Sequence, residues 1–243
     1  MPMSTIDSRV TLLRPSTSGR PLAPSQLEMR LPTLLSVIAG TVDLTGFLNL
    51  GNLFTAHITG NLVVVAALIV RGGRIDPAQV LAIPAFILAV ATTWFLAKVS
   101  GRRGPSLARL LLVIQFLLLA GVLIVSVITK PSTNPHGLMA GIAAMIAVSA
   151  MACQFALLRL ALPVAPSTAV MTGNLTNTVL SLLDSRSLTQ PLMAGDVERL
   201  RGSLHLLIGF FGGCVVAAVA VSLLGDWAWS LPVALAGVAV VLR

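Results

Sequence analysis

Charged residues are scarce in this sequence, and tyrosine is absent from it. Asp, Glu, Lys and Arg make up 10% of the 243 residues, whereas a soluble domain carries about a quarter. Hydrophobic residues make up 56%, and the mean hydropathy is +0.95. A helix that spans a bilayer needs about 20 apolar residues, and the runs 80–97, 107–128, 138–158 and 204–224 approach that length. The sequence excludes a soluble protein and predicts an all-α polytopic membrane protein.

Cysteines and catalytic motifs are also scarce. Cys153 and Cys214 each lie inside an apolar run, so we expect two free, buried thiols and no disulfide. The sequence has no CxxC pair, Walker loop, GxSxG or HExxH motif. It therefore predicts no metal, no cofactor and no enzymatic activity.

The basic residues lie between apolar runs and do not form a patch with interleaved aromatics, so the net charge of +8 predicts no nucleic-acid partner. A membrane protein carries its cytoplasmic positive charges in such segments. Residues 1–32 combine Arg, Pro, Ser and Thr without the apolar core of a signal peptide. They predict a disordered basic cytoplasmic tail, followed by a single integral membrane domain over 33–243.

An internal repeat is visible in the motifs FTAHITGNLVV (54–64) and STAVMTGNLTN (167–177). With an offset of 113 residues, six of the eight positions from Thr55 to Leu62 are identical in the second copy. We expect two halves, about 33–129 and 137–242. Duplicated halves are typical of transporter folds.

The eight apolar segments allow two topologies; they are 33–53, 55–70, 80–98, 107–129, 138–160, 168–183, 204–224 and 228–242. Eight full crossings with parallel repeats would put 11 of the 16 Lys and Arg residues inside. Six spans with two re-entrant or broken segments, 55–70 and 168–183, would put 13 inside and make the repeats inverted. The positive-inside bias favours the second arrangement by two charges.

The two TGN motifs are candidate binding segments: Thr59, Gly60 and Asn61, and Thr172, Gly173 and Asn174. Thr, Gly and Asn are poor helix-interior residues, so they mark places where a helix opens or ends. We expect both motifs to face the interior, across the repeat interface. Paired broken helices indicate a transporter's substrate site, although close helix packing would explain small and polar residues equally well.

Four further polar residues stand out within or beside apolar runs. Asp43 lies well inside the first segment, where a carboxylate costs roughly 2.5–3.5 kcal/mol to insert and usually faces a pathway or a partner. His57 could share a proton relay with Asp43, or be a structural histidine satisfied by the opened backbone. Gln154 could bind a ligand or join helices. Arg159 could pair with Asp43 or snorkel to the cytoplasmic interface.

The stretches AGTVDLTGFLNLGNLFTAHITGN (39–61) and QFALLRLALPVAPSTAVMTGNLT (154–176) resemble the YoaK family, bacterial membrane proteins with a domain of unknown function. The resemblance covers most of 33–225. It departs at 152–155, where Ala-Cys-Gln-Phe replaces Gly-Leu-Gln-Asn, and at His57, where Asn is commoner. The positions that it implies are Gly40, Asp43, Phe47, Gly51, Phe54, Thr59, Gly60, Asn61, Gln154, Arg159, Thr168, Thr172 and Gly173.

These features together predict a multi-pass protein of the bacterial inner membrane with a cytoplasmic N-terminus. The expected function is secondary transport of a small solute, coupled to protons through a central site of Asp43, His57 and the TGN motifs. The alternative is a non-transporting scaffold or lipid-interacting protein whose polar residues only pack. The partners expected are the lipid bilayer, an unknown small solute and a second copy of the chain in a homo-oligomer.

Overall fold

A computed structural model describes residues 26–73, 75–163, 167–168, 171–186 and 194–243. These residues form helices joined by short turns, and no strand occurs among them. The helices are α1 (Gln26–Asn49), α2 (Ile58–Arg71), α3 (Pro77–Ser100), α4 (Gly104–Thr129), α5 (Leu138–Ala161), α6 (Met171–Arg186), α7 (Ala194–Leu224) and α8 (Ser230–Val241). Single turns of 3₁₀ helix precede α5 and α8, at Pro131–Thr133 and Gly225–Trp229.

The tail is shorter than the sequence predicted. Helix α1 begins at Gln26, because residues 26–30 (Gln-Leu-Glu-Met-Arg) are all good helix formers. The predicted disordered tail over 1–32 is therefore wrong for residues 26–32. Residues 1–25 lie outside the described part of the chain.

The helices have the length and composition of a multi-pass membrane protein. In the described residues five stretches could each cross a bilayer, namely Leu31–Asn49, Pro77–Ser100, Gly104–Thr129, Leu138–Ala161 and the joined α7–α8 region Leu200–Val241. Helix α2 is apolar but has only 14 residues, about 21 Å of helix against a hydrocarbon core of about 30 Å. Large apolar side chains cover the outside, for example Val70 at 87% exposure. The predicted membrane class is confirmed.

One end of the bundle, which we call the polar end, joins the ends of α1, α4 and α7 to the starts of α3, α5 and α8. The contacts there are Asn49 Nδ2 donating to Gly225 O (3.3 Å), Gln79 Nε2 donating to Gly51 O (3.2 Å), the 2.7 Å pair His136 Nδ1–Asp76 Oδ2, and Ser132 Oγ donating to Asp226 Oδ2 (2.6 Å). The opposite end, which we call the basic end, carries the α3–α4 turn, the end of α5 and the start of α7. Lys98, Arg102, Arg103, Arg109, Arg159 and Arg201 lie at or near it.

Helices α1 and α7 pack along each other and approach closely at glycines of both helices. A Cβ built on Gly40 would collide with the carbonyl oxygen of Phe210, and one on Gly213 with that of Val37. Gly209 faces Thr33 O one turn earlier. Small residues let helix backbones approach closely where lipid supplies no hydrophobic driving force between them. The same contact holds Cys214, which is half-buried and free, as buried Cys153 is in α5.

Neighbouring glycines in α7 test this packing. We expect Gly213→Ala to destabilise the protein by about 1–3 kcal/mol, because its methyl group has no room beside Val37. Gly212→Ala is the matched control, since its Cβ meets nothing within 4 Å, and it should be neutral or stabilise α7 by up to about 1 kcal/mol. Thermal unfolding in detergent measures both. Equal effects of the two variants would contradict the close approach of α1 and α7.

Candidate functional site

A buried, non-helical break of residues 50–57 separates α1 from α2. It packs directly on α1, because Gly46 has no side chain to keep Leu53 and Thr55 away. Freed backbone N–H groups in apolar surroundings cost several kcal/mol each unless the protein supplies acceptors. The break therefore depends on side chains that accept hydrogen bonds.

Asp43 and Asn61 supply these acceptors. Asp43 Oδ1 accepts hydrogen bonds from the backbone N–H groups of Thr55 (2.8 Å), Ala56 (2.8 Å) and His57 (3.4 Å). Asn61 Oδ1 accepts from the N–H of Phe54 at 2.9 Å. Two side chains thus satisfy four consecutive N–H groups, which explains why an apolar chain carries an Asp and an Asn here.

The second carboxylate oxygen of Asp43 faces His57. Asp43 Oδ2 lies 2.7 Å from His57 Nδ1, and the two side chains are 6% and 37% exposed. The imidazole also meets the ring of Phe210 edge-on, with 5.1 Å between ring centroids. An imidazole that titrates near neutral pH can pass a proton between its exposed side and a buried carboxylate. The structure therefore joins the two residues that the sequence predicted as a relay.

The first TGN motif begins a helix. Gly60 lies against the ring of Phe54, where a Cβ would come within 2.9 Å. Asn61 is buried and also donates from Nδ2 to Phe54 O at 2.8 Å, so that it holds both polar groups of that peptide unit. Thr59 is exposed. The expectation that the whole motif faces the interior is wrong for Thr59, because residues two apart on a helix point to nearly opposite sides.

The second motif repeats this geometry in its described part. Asn174 is buried and donates from Nδ2 to Ser167 O at 2.9 Å, seven residues back, as Asn61 does to Phe54. Thr172 is exposed and Gly173 half-buried. The inward-facing expectation is therefore wrong for Thr172 as well. Residues 164–166 and 169–170 lie outside the described chain.

Gln154 is fully buried and contacts Thr168, one of the described residues between α5 and α6 (162–163 and 167–168), which we call the second break. Its Nε2 donates to Leu35 O at 2.9 Å and to Thr168 Oγ1 at 3.5 Å. Its Oε1 accepts from Gln115 Nε2 at 2.6 Å. Sequence reasoning missed Gln115, although it is a lone polar residue in an apolar run, as Asp43 is.

The two breaks reach α1 at different levels. Asp43 holds the first break, and Gln154 joins Thr168 of the second to Leu35. Leu35 and Asp43 are eight residues apart, which is about 12 Å along a helix. The two breaks therefore flank the middle of α1.

Arg159 does not pair with Asp43. It is exposed in the last turn of α5, 21 residues after Leu138 at the polar end, or about 32 Å along that helix. Asp43 lies only six residues before the polar end of α1. The two charges are thus at different depths, and the carboxylate is already engaged by the break and His57.

A second acid–histidine pair was also missed. Asp76 caps α3 by accepting from Ala78 N–H at 2.9 Å, and its other oxygen lies 2.7 Å from His136 Nδ1. An Asp before a Pro is a helix-start signal, and the stretch Asp76-Pro77 could have been recognised from it. The pair joins two loops at the polar end, with the His136 side chain 61% exposed.

No group of three or more His, Cys, Asp or Glu side chains that could hold a metal occurs within the ranges that the structure describes. Comparison with curated proteins and with solved structures found no match to the chain. The family model described as "Protein of unknown function (DUF1275)" matches residues 31–242. The match confirms the predicted resemblance to an uncharacterised family. The description of the family does not contain the name YoaK. The chain belongs to the DUF1275 family of proteins of unknown function.

Proposed function

We propose that this protein is a secondary transporter of a small solute in the bacterial inner membrane and that it couples transport to protons. The observation that carries the proposal is the Asp43–His57 pair at 2.7 Å, held where a helix begins inside an apolar bundle. Ionisable residues within a membrane domain mark ion and proton paths. Discontinuous helices in transporters mark the binding region.

Equivalent interactions in the two halves support a duplicated architecture. Asn61 and Asn174 each bind the carbonyl seven residues before them. Thr55 is held by Asp43 of α1, and its counterpart Thr168, 113 residues later, is held by Gln154 of α5. Repeats of this kind allow one half to move against the other around a central site.

The packing of the helices is also equivalent in the two halves. Helix α1 packs along α7, and its counterpart α5 packs along α3. Helix α2 packs on α3, and α6 packs on α7. The first helix of each half (α1 or α5) therefore packs along the third helix of the other half (α7 or α3). Each break thus lies between helices of both halves.

The first break supports a re-entrant arrangement. The chain reaches the polar end at Asn49, turns back to Asp43 and then enters α2. Arg71, at the end of α2, and Asp76, at the polar end, are only five positions apart, which is at most roughly 17 Å of chain. Helix α2 is thus a half-helix that returns to the polar end. With α6 as its counterpart, the chain has six spans and two half-helices, arranged as inverted repeats.

The charge distribution agrees with this topology. Counted along the sequence, 13 of the 16 Lys and Arg residues fall on the cytoplasmic side of this topology, and Arg71, Arg74 and Lys130 fall on the other side. The positive-inside bias assigns the basic end and the N-terminus to the cytoplasm.

Cysteine accessibility tests the topology. Ile75→Cys and Thr133→Cys, both at exposed positions of the polar end, should react with a membrane-impermeant maleimide in intact cells. Arg102→Cys, exposed in the α3–α4 turn, should react only after the membrane is permeabilised. Eight full crossings reverse the outcome at all three positions, so labelling of Arg102→Cys in intact cells would overturn the six-span arrangement.

Proton coupling is tested by Asp43→Asn in liposomes that contain a pH-sensitive dye. The amide oxygen still accepts N–H hydrogen bonds, but the side chain no longer binds and releases a proton. We expect the variant to unfold at a temperature close to that of the wild type. We expect the proton flux that a panel of small solutes elicits to fall at least tenfold, which is about the effect of losing one hydrogen bond to a charged group.

Asp76→Asn is the matched control, because Asp76 is also buried, accepts a backbone N–H and lies 2.7 Å from a histidine. It should keep its solute-dependent proton flux. Full flux in Asp43→Asn, or an equal loss in both variants, would contradict the role given to Asp43. If no solute elicits flux through the wild-type protein, the scaffold or lipid-interacting function replaces transport.

A further inference from the structure

The side chain of Gln115 presents a hydrogen-bond acceptor that no group in the described part of the chain uses. The residue lies in the middle of α4 and is 0% exposed. Its Nε2 donates to Gln154, but its Oε1 has no hydrogen-bond partner. A buried amide oxygen without a donor leaves its desolvation uncompensated, and native proteins keep few such groups.

The neighbours fix which way the amide of Gln115 points. Gln154 must turn its NH₂ group towards Leu35 O and Thr168 Oγ1, because both are acceptors at that side. The Oε1 atom of Gln154 then needs a donor, and the NH₂ group of Gln115 supplies it. These hydrogen bonds fix the orientation of both amides and leave the Oε1 atom of Gln115 without a donor.

This acceptor lies beside Gln154, which also contacts Thr168, the counterpart of Thr55 in the first break. The first break is held by an ionisable pair, whereas Gln115, Gln154 and Thr168 are all uncharged. A solute with a net charge would have no opposite charge among these groups, and an unpaired charge in an apolar interior is strongly disfavoured. A neutral group that donates a hydrogen bond satisfies Gln115 at no such cost.

We propose that Gln115, Gln154 and Thr168 form the solute-recognition site and that it takes an uncharged small molecule bearing an amide N–H or a hydroxyl donor. This deepens the proposed transport function and rests on it. The solute's donor binds Gln115 Oε1, while Gln154 orients that acceptor. Proton coupling then takes place at the first break, and recognition takes place beside Thr168, where Gln115 of the first half meets Gln154 of the second.

Binding is measured apart from transport, by thermal stabilisation of the purified full chain in detergent. Acetamide and glycerol are the donor-bearing probes. Acetate, which is charged, and N,N-dimethylacetamide, which has no N–H, are the comparison compounds. We expect acetamide or glycerol to stabilise the wild-type protein and both comparison compounds to have no such effect.

Gln115→Met keeps the size of the side chain and removes the acceptor. It should stay folded and bind the stabilising probe about tenfold more weakly, the equivalent of one neutral hydrogen bond. Gln79→Met is the matched control, because Gln79 is also a buried glutamine with an unpartnered Oε1 but lies at the polar end. It should keep the affinity of the wild type.

The outcomes separate the two proposals. Equal binding by Gln115→Met and the wild type, or no stabilisation by either donor-bearing probe, overturns the recognition site, whatever the proton flux. A buried water as the sole occupant of the site gives that second result. Binding that depends on Gln115, without proton flux that depends on Asp43, supports the site and contradicts the coupling.

Discussion

The carboxylate of Asp43 is the constraint on which the first half of the bundle depends. It lets the chain leave a helix inside an apolar environment, because one of its oxygens accepts three of the freed backbone N–H groups. Without that acceptor the backbone N–H groups of the break between α1 and α2 would be unpaired, and a continuous helix would have the lower free energy. The short helix α2, the approach of the break to Gly46 and the position of His57 all follow from it.

Different side chains bind the non-helical backbone before α2 and before α6. An Asn in each TGN motif folds back on the carbonyl seven residues earlier. The residue that reaches across from the first helix of the half is an Asp in one case and a Gln in the other. The Asp also contacts the half-buried imidazole of His57, whereas the Gln donates to Thr168 and to Leu35 of α1. The two breaks are thus held by unlike groups, at levels about 12 Å apart along α1.

Much of the fold could be predicted from the sequence. Apolar runs and breakers gave the number and approximate bounds of the helices, because a spanning helix needs a minimum length of apolar residues. The first apolar segment was predicted to begin at residue 33, whereas α1 begins at Gln26, because the helix propensity of residues 26–30 extends the helix beyond the apolar run. Asp43 and His57 were recognised because a charge or imidazole in an apolar run needs a partner.

The rest of the site could not be predicted, because it depends on contacts between distant segments. The Asp43–His57 contact was anticipated, but the N–H groups of the break as partners of Asp43 were not. Arg159 was an equally reasonable partner for Asp43 until the helix directions gave the two residues different depths. Gln115 became notable only when its free oxygen was seen beside Gln154. Periodicity and composition contain no information on such pairings.

Amide hydrogen exchange at residues 55–57 tests the central claim most directly. If the Asp43 side chain holds the break, these three amides should be strongly protected in the wild type, because Asp43 Oδ1 accepts from all of them. Asp43→Ala, which removes the acceptor, should lower their protection factors, while the amides of α5 remain protected in both proteins. Equal protection of residues 55–57 in the wild type and in Asp43→Ala would contradict the account.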